Sequence, residues 1–107
     1  MLRVGVMIAL LALDLMGGAA GADVTSELRT LKRGQPAPVA AFIDRTIGCN
    51  HFAGEDPYDA EHRAFIAKAM RDLRCDRLDQ DEAKLRRRYA HTPTVLQVLD
   101  RARALID

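Results

Sequence analysis

Much of the chemistry this chain could do is concentrated in eleven consecutive residues. Cys49-Asn50-His51-Phe52-Ala53-Gly54-Glu55-Asp56-Pro57-Tyr58-Asp59 brings together a thiol, an amide, an imidazole, two aromatic rings and three carboxylates. Several chemistries are compatible with such a set. Cys49 can pair with the second cysteine, Cys75, as a disulfide. Cys49, His51, His62 and Cys75 are all zinc-ligand types, and four such groups would complete a tetrahedron. Their spacing follows no standard zinc pattern. His51 beside Glu55 has the makings of an acid–base pair. Finally, aromatic, amide and acidic groups on one connector are what a recognition loop carries, since loops held by a rigid scaffold often bear function. As a plain connector, the same residues would bond backbone through Asn50, fill the core with Phe52, turn at Gly54 and cap a helix with Asp56.

Catalysis finds little support elsewhere in the chain. The only serine, Ser26, lies far from any histidine in sequence. His62 follows Asp59 by three residues, a spacing that makes an ordinary side-chain pair on a helix. Nothing assembles the nucleophile, base and orienting group of covalent catalysis, so no enzyme activity is expected. Lys84-Leu85-Arg86-Arg87-Arg88 is a basic run. Acidic Asp79, Asp81 and Glu82 precede it, so this helix has acid first and base last, the order its dipole favours. A solvated helix face is expected, or a contact for an acidic surface, rather than a nucleic-acid site.

The N-terminus decides the fate of the cysteines. Arg3 is followed by an apolar or small stretch, Val4–Leu13, interrupted afterwards by Asp14. The stretch closes on Gly17-Gly18-Ala19-Ala20-Gly21-Ala22. A basic start, an apolar stretch of about 7–15 residues and a small-residue A-x-A site define a secretory signal peptide. Residues 1–22 are therefore expected to be a cleaved leader, and Asp23–Asp107 a single domain of 85 residues. Asp14 and the glycines leave too short an apolar run to span a bilayer. No cysteine follows the leader to take a lipid, so no stable membrane anchor is expected after cleavage. Localisation is predicted as periplasmic or secreted. In that setting two cysteines read as a disulfide, Cys49–Cys75, and no metal or other cofactor is called for. The formal net charge of +1 is unchanged by losing the leader. So even a balance argues against a general polyanion binder.

Those groups need a scaffold, and the sequence predicts helices throughout. β-branched residues are sparse and no useful alternating run appears. Thr25 or Ser26 caps a short first helix that stops at Gly34. Gln35-Pro36-Ala37-Pro38 is a rigid linker, because each proline biases its predecessor away from helix. A second helix runs from near Pro38 to Gly48, with Val39, Phe42, Ile43 and Ile47 on one face. Cys49–Asp56 is read as a loop. Asp56-Pro57 then caps and opens a third helix, with Tyr58, Phe65, Ile66, Ala69, Met70 and Leu73 inward, ending near Cys75. Asp79 caps a fourth helix in a capping box with Glu82. Its apolar positions are Leu78, Leu85 and Tyr89. Thr92-Pro93 opens a fifth, whose broad apolar face is Val95, Leu96, Val98, Leu99, Ala102, Leu105 and Ile106. The fold class is all-α: a small bundle of four to five short helices stapled by one disulfide.

The disulfide constrains the topology. A third helix of about 18 residues is about 27 Å long, yet bridged Cα atoms must come within about 7 Å. Either the Cys49–Asp56 loop runs back along that helix, or the helix begins later than Pro57. Seven extended residues reach about 24 Å, and the crossing loop is the expected solution.

The segment CNHFAGEDPYD, followed by a helix ending LRCDRL, resembles small uncharacterised exported proteins of Gram-negative bacteria. More loosely, the chain is similar to helical periplasmic proteins that inhibit lysozyme or neutralise cell-wall amidases. That resemblance implies a non-enzymatic inhibitor or immunity-type protein with a protein partner in the envelope, a cell-wall hydrolase being one such partner. Contact residues are expected at Asn50, His51, Phe52, Glu55 and Tyr58, on a loop that the disulfide preorganises. Two alternatives remain open at this point. One is a structural or accessory envelope protein forming a helical homodimer through the last helix; the other is a small metal-binding domain.

Overall fold

The structure, a computed structural model, describes residues 20–107, with side chains from Val24 onward. The leader expected over residues 1–22 lies almost wholly outside the described residues. Five α-helices and one 3-10 turn occur in order, with no strand among the described residues: α1 (Ala20–Lys32), α2 (Ala37–Ala53), α3 (Ala60–Asp72), the turn Cys75–Arg77, α4 (Leu78–Arg88) and α5 (Pro93–Ile106). The all-α bundle and its single disulfide are thus as expected. α2 is the central helix and packs against each of the others.

The core matches the predicted apolar periods closely. Leu28 of α1, Val39, Phe42 and Ile43 of α2, and Val95, Leu99 and Ala102 of α5 form one buried cluster. Leu78 and Leu85 of α4, with Tyr89 at its C-cap, close over it. Leu105, Ile106 and Val98 are also packed onto this cluster. Much of the broad face of α5, the expected homodimer surface, thus packs inside the chain, with Val98, Leu105 and Ile106 partly buried and Leu96 half-buried outside the cluster. Ion pairs reinforce the α4–α5 contact: Arg103 reaches Asp79 and Glu82, each at 2.9 Å, and Arg86 bridges Glu82 and Asp100. These pairs account for a miss at the start of α4. Asp79 and Glu82 face arginines instead of forming a capping box, and the helix begins directly from the 3-10 turn, with Arg77 at its N-cap.

The first two helices also start differently from expectation. α1 runs through Thr25 and Ser26, so neither caps it. It ends as predicted before Gly34, which has the left-handed φ of 72° that glycine adopts without strain. Pro36 is extended at the N-cap of α2, and its carbonyl accepts the N–H groups of Val39 and Ala40.

The larger correction concerns Gly48 and the five residues after it. Gly48 does not end α2; the helix runs on through Cys49, Asn50, His51 and Phe52 to Ala53. Glycine in a helix interior costs about 1 kcal/mol relative to alanine. Its use here is close approach: a Cβ on Gly48 would stand 2.8 Å from Leu73 Cδ1. Gly48 thus lets the end of α3 lie against α2. The connector is only the segment 54–59, and α3 starts at Ala60. Asp59, not Asp56, is its N-cap, accepting the His62 N–H at 2.7 Å.

The crossing loop is accordingly absent. The disulfide constraint is met the other way, by a late start to α3 and by a Cys49 carried inside α2. Cys49 and Cys75 are bonded, with Cα atoms 5.6 Å apart. The metal-binding alternative thereby loses both of its thiolates.

α3 is attached differently from the rest. Its buried residue is Ile66, and none of its side chains belongs to the main cluster. Its sheltered stripe is narrow: Ile66 is buried, and His62, Ala69, Met70 and Leu73 are half-buried. Phe65 and Tyr58, expected inside, are exposed at 59% and 82%. The later helix start leaves Tyr58 outside α3, and Phe65 falls one position off the stripe. What holds α3 in place besides this stripe is the staple at Cys75 and the Arg45 guanidinium of α2. Arg45 Nε donates to the Leu73 carbonyl at 2.9 Å and Nη2 to that of Arg74 at 3.0 Å.

Candidate functional site

The last turn of α2, the connector and the first two turns of α3 meet at one edge of the molecule. Glu55 is the hub. Its Oε1 lies 2.9 Å from His51 Nε2 and its Oε2 lies 3.1 Å from His62 Nε2. One carboxylate thus ties the end of α2 to the start of α3. Both imidazoles face it through Nε2, so a neutral ring donates from Nε2–H and a protonated one donates with charge. His62 Nδ1 is buried and meets no donor or acceptor.

Aromatic contacts extend this clasp. The Tyr58 ring stacks on His62 at 4.2 Å between centroids and 15° between planes. On α3, Phe65 lies near-parallel to His62 at 6.4 Å. Phe52 meets Phe65 edge-to-face at 6.1 Å and His51 at 5.0 Å. A pair such as Phe52–Phe65 adds about 0.5–1.5 kcal/mol beyond burial. Five rings therefore hold one another in place, and three of them, His51, Tyr58 and Phe65, remain largely open to solvent. Tyr58, Asp59, Glu61, His62 and Phe65 line an open groove along this edge.

Of the residues expected at the site, four are gathered here: His51, Phe52, Glu55 and Tyr58. His51 is exposed and Phe52 is half-buried. Asn50 is exposed one residue away and contributes its carbonyl, which accepts the Gly54 N–H. Rather than a free loop, the first three candidates stand on a helix turn. His62 and Phe65 are the participants that residue-by-residue reading missed as contact groups. With Asp59 taken as the cap, the stripe Ile66–Ala69–Leu73 falls into register, and Phe65 would have been seen to lie outside it.

Chemically, the arrangement positions two imidazoles against a carboxylate, and among the described residues no serine or free cysteine stands beside them. Ser26 is on α1 and both cysteines are in the disulfide. Among the described residues no group of three or more His, Cys, Asp and Glu side chains is placed to hold a metal ion.

Charge is unevenly distributed. No lysine or arginine occurs between Arg45 and Arg63, whereas Glu55, Asp56, Asp59 and Glu61 all fall in that span. Elsewhere Glu27, Asp44, Asp72, Asp79, Asp81, Glu82 and Asp100 each meet a basic side chain. Asp56, Asp59 and Glu61 meet none among the described residues; outside this span the same holds for Asp76 and Asp107, which stand apart from the groove. The groove is aromatic within and acidic at its rim.

Comparison with protein-family models, with curated proteins and with solved structures finds no match to this chain.

Proposed function

We propose that this chain is a non-enzymatic binding protein of the inhibitor or immunity type, acting in the periplasm or outside the cell. It would grip a protein partner in the envelope, a cell-wall hydrolase being one candidate, through the edge formed by His51, Phe52, Glu55 and Tyr58 together with His62 and Phe65. One observation carries this reading. Tyr58 and Phe65 are the exposed large hydrophobic side chains of the described chain, and they stand together on one preorganised groove. Interface hot spots are rich in tyrosine and other aromatic anchors. Rings already held by neighbours lose little freedom on binding. The disulfide suits an oxidising compartment. No helix among the described residues is long and apolar enough to cross a membrane.

Site-specific photo-crosslinking in cells tests the reading. A photoreactive residue placed at Tyr58 is expected to yield one discrete protein adduct in the envelope fraction. The same residue at Arg29, exposed on α1, is expected to yield none. Identical adducts from both positions, or none from Tyr58, would refute partner recognition by this edge. The intact mass of the protein from that fraction is expected to place its first residue near Asp23; a chain retaining residues 1–22 would refute export by a cleaved leader.

A further inference from the structure

We infer that the groove beside Tyr58 receives a basic side chain, arginine or lysine, from a segment of the partner. This rests on the reading of the edge as a recognition surface and names its chemistry. The groove offers two things at once. It has an open aromatic ring, Tyr58, exposed at 82% and fixed by its stacking on His62. It also has carboxylates, Asp59 and Glu61, that meet no basic group among the described residues. A cation within about 6 Å of a ring face is attracted by its quadrupole, and a guanidinium so placed also brings donors to the carboxylates.

The chain itself uses the first half of this chemistry. Arg88 carries its guanidinium 5.5 Å from the centroid of the Tyr89 ring. Other occupants fit less well. An apolar side chain seated here would draw water from the carboxylates without compensation. An acidic segment would meet like charge at Asp56, Asp59 and Glu61. Part of the acidity has a local role, because Asp59 caps α3 and Glu61 lies in its first turn. That role needs the cap oxygen rather than three uncompensated charges, since asparagine caps about as well as aspartate.

The test uses the disulfide-bonded mature protein and three end-blocked peptides: Gly-Arg-Gly-Arg-Gly, its lysine counterpart and its glutamate counterpart. NMR tracks the ring protons of Tyr58, His62 and Phe65. The arginine and lysine peptides are expected to shift these rings saturably, and the glutamate peptide to leave them unmoved. Raising salt from about 0.01 M to about 0.15 M, which shortens the Debye length from ~30 Å to ~8 Å, should weaken binding several-fold. Tyr58→Ala should weaken it about fivefold. The double variant Asp59→Asn/Glu61→Gln keeps the cap, folds as the parent does, and should weaken binding by a similar factor. Rings that ignore both basic peptides, or answer the glutamate peptide equally, would overturn the inference. So would unchanged binding in the double variant. Failure of the basic peptides alongside a discrete adduct from Tyr58 would overturn the cation alone. Peptide binding with no adduct would instead overturn the envelope partner.

Discussion

Replacing Cys49 and Cys75 together by alanine is expected to destabilise the protein by about 3.5 kcal/mol. The cysteines lie 26 residues apart in sequence. In the chain-entropy model a closed loop of that size restricts the unfolded chain by about this amount. For a domain of this length each kcal/mol moves Tm by about 4–8 °C, so thermal unfolding monitored by circular dichroism should shift down by about 20 °C. The loss should fall unequally. The core cluster is built from α1, α2 and α5 and closed by α4, and it is not crossed by the disulfide. α3 hangs outside that cluster, between a short connector and the half-cystine at Cys75. Amide hydrogen exchange across Ala60–Asp72 should therefore accelerate first and most, because local opening draws on local contacts. The groove should loosen with it, since His62 and Phe65 are carried on α3. A double variant that keeps its Tm within about 5 °C, with α3 protection unchanged, would show that the staple is not what holds α3.

This attachment of α3 also explains how far residue patterns carried. The faces Val39–Phe42–Ile43–Ile47 and Val95–Leu99–Ala102 were legible because apolar periodicity is local and both helices turn it inward. The cysteine pair was legible because two cysteines allow a single connectivity. Gly48 was misread as a stop because its purpose is a contact with Leu73, 25 positions away, which no local signal reports. Asp56-Pro57 and Asp59 are both sound caps by composition. The choice between them is made by the register in which Ile66, Ala69 and Leu73 reach α2. Asp79 and Glu82 match the capping-box spacing, but arginines of α4 and α5 reach those carboxylates first. The site shows the same division. His51, Phe52, Glu55 and Tyr58 were marked by their chemistry within one short segment, while His62 and Phe65 depended on where α3 begins. The errors at Gly48, at Asp56 and at Asp79 each sit where packing between helices overrides a local preference.

Arg45→Met is expected to cost about 2 kcal/mol, close to a 10 °C loss in Tm. Methionine keeps much of the side chain's length and apolar stem, so the effect reports the lost guanidinium. Arg45 supplies charged hydrogen bonds to the carbonyls of Leu73 and Arg74, just where α3 ends. Those acceptors lie just past the last helical turn, where carbonyls lack intrahelical donors. Arg74 is also the non-glycine residue with positive φ, at 53°, among the described residues. A left-handed conformation costs an ordinary residue about 1–2 kcal/mol, and Arg45 holds the chain in it. Adding Arg74→Gly to Arg45→Met should accordingly return about 1 kcal/mol. The third partner makes the effect pH-dependent. Arg45 Nη1 donates to Asp81 Oδ2 at 2.9 Å, and this bond, foremost, holds the Asp81 carboxyl below its ordinary value of 3.8. A carboxyl depressed in the folded state adds stability above its unfolded value, and that contribution is lost as pH falls through the folded one. The gap in stability between the parent and Arg45→Met should therefore be full at neutral pH and narrow below about pH 4. Urea unfolding at both pH values measures it. A gap that stays constant on acidification would mean that Asp81 draws nothing from Arg45. A variant as stable as the parent would mean that the α3 carbonyls are equally well served by water.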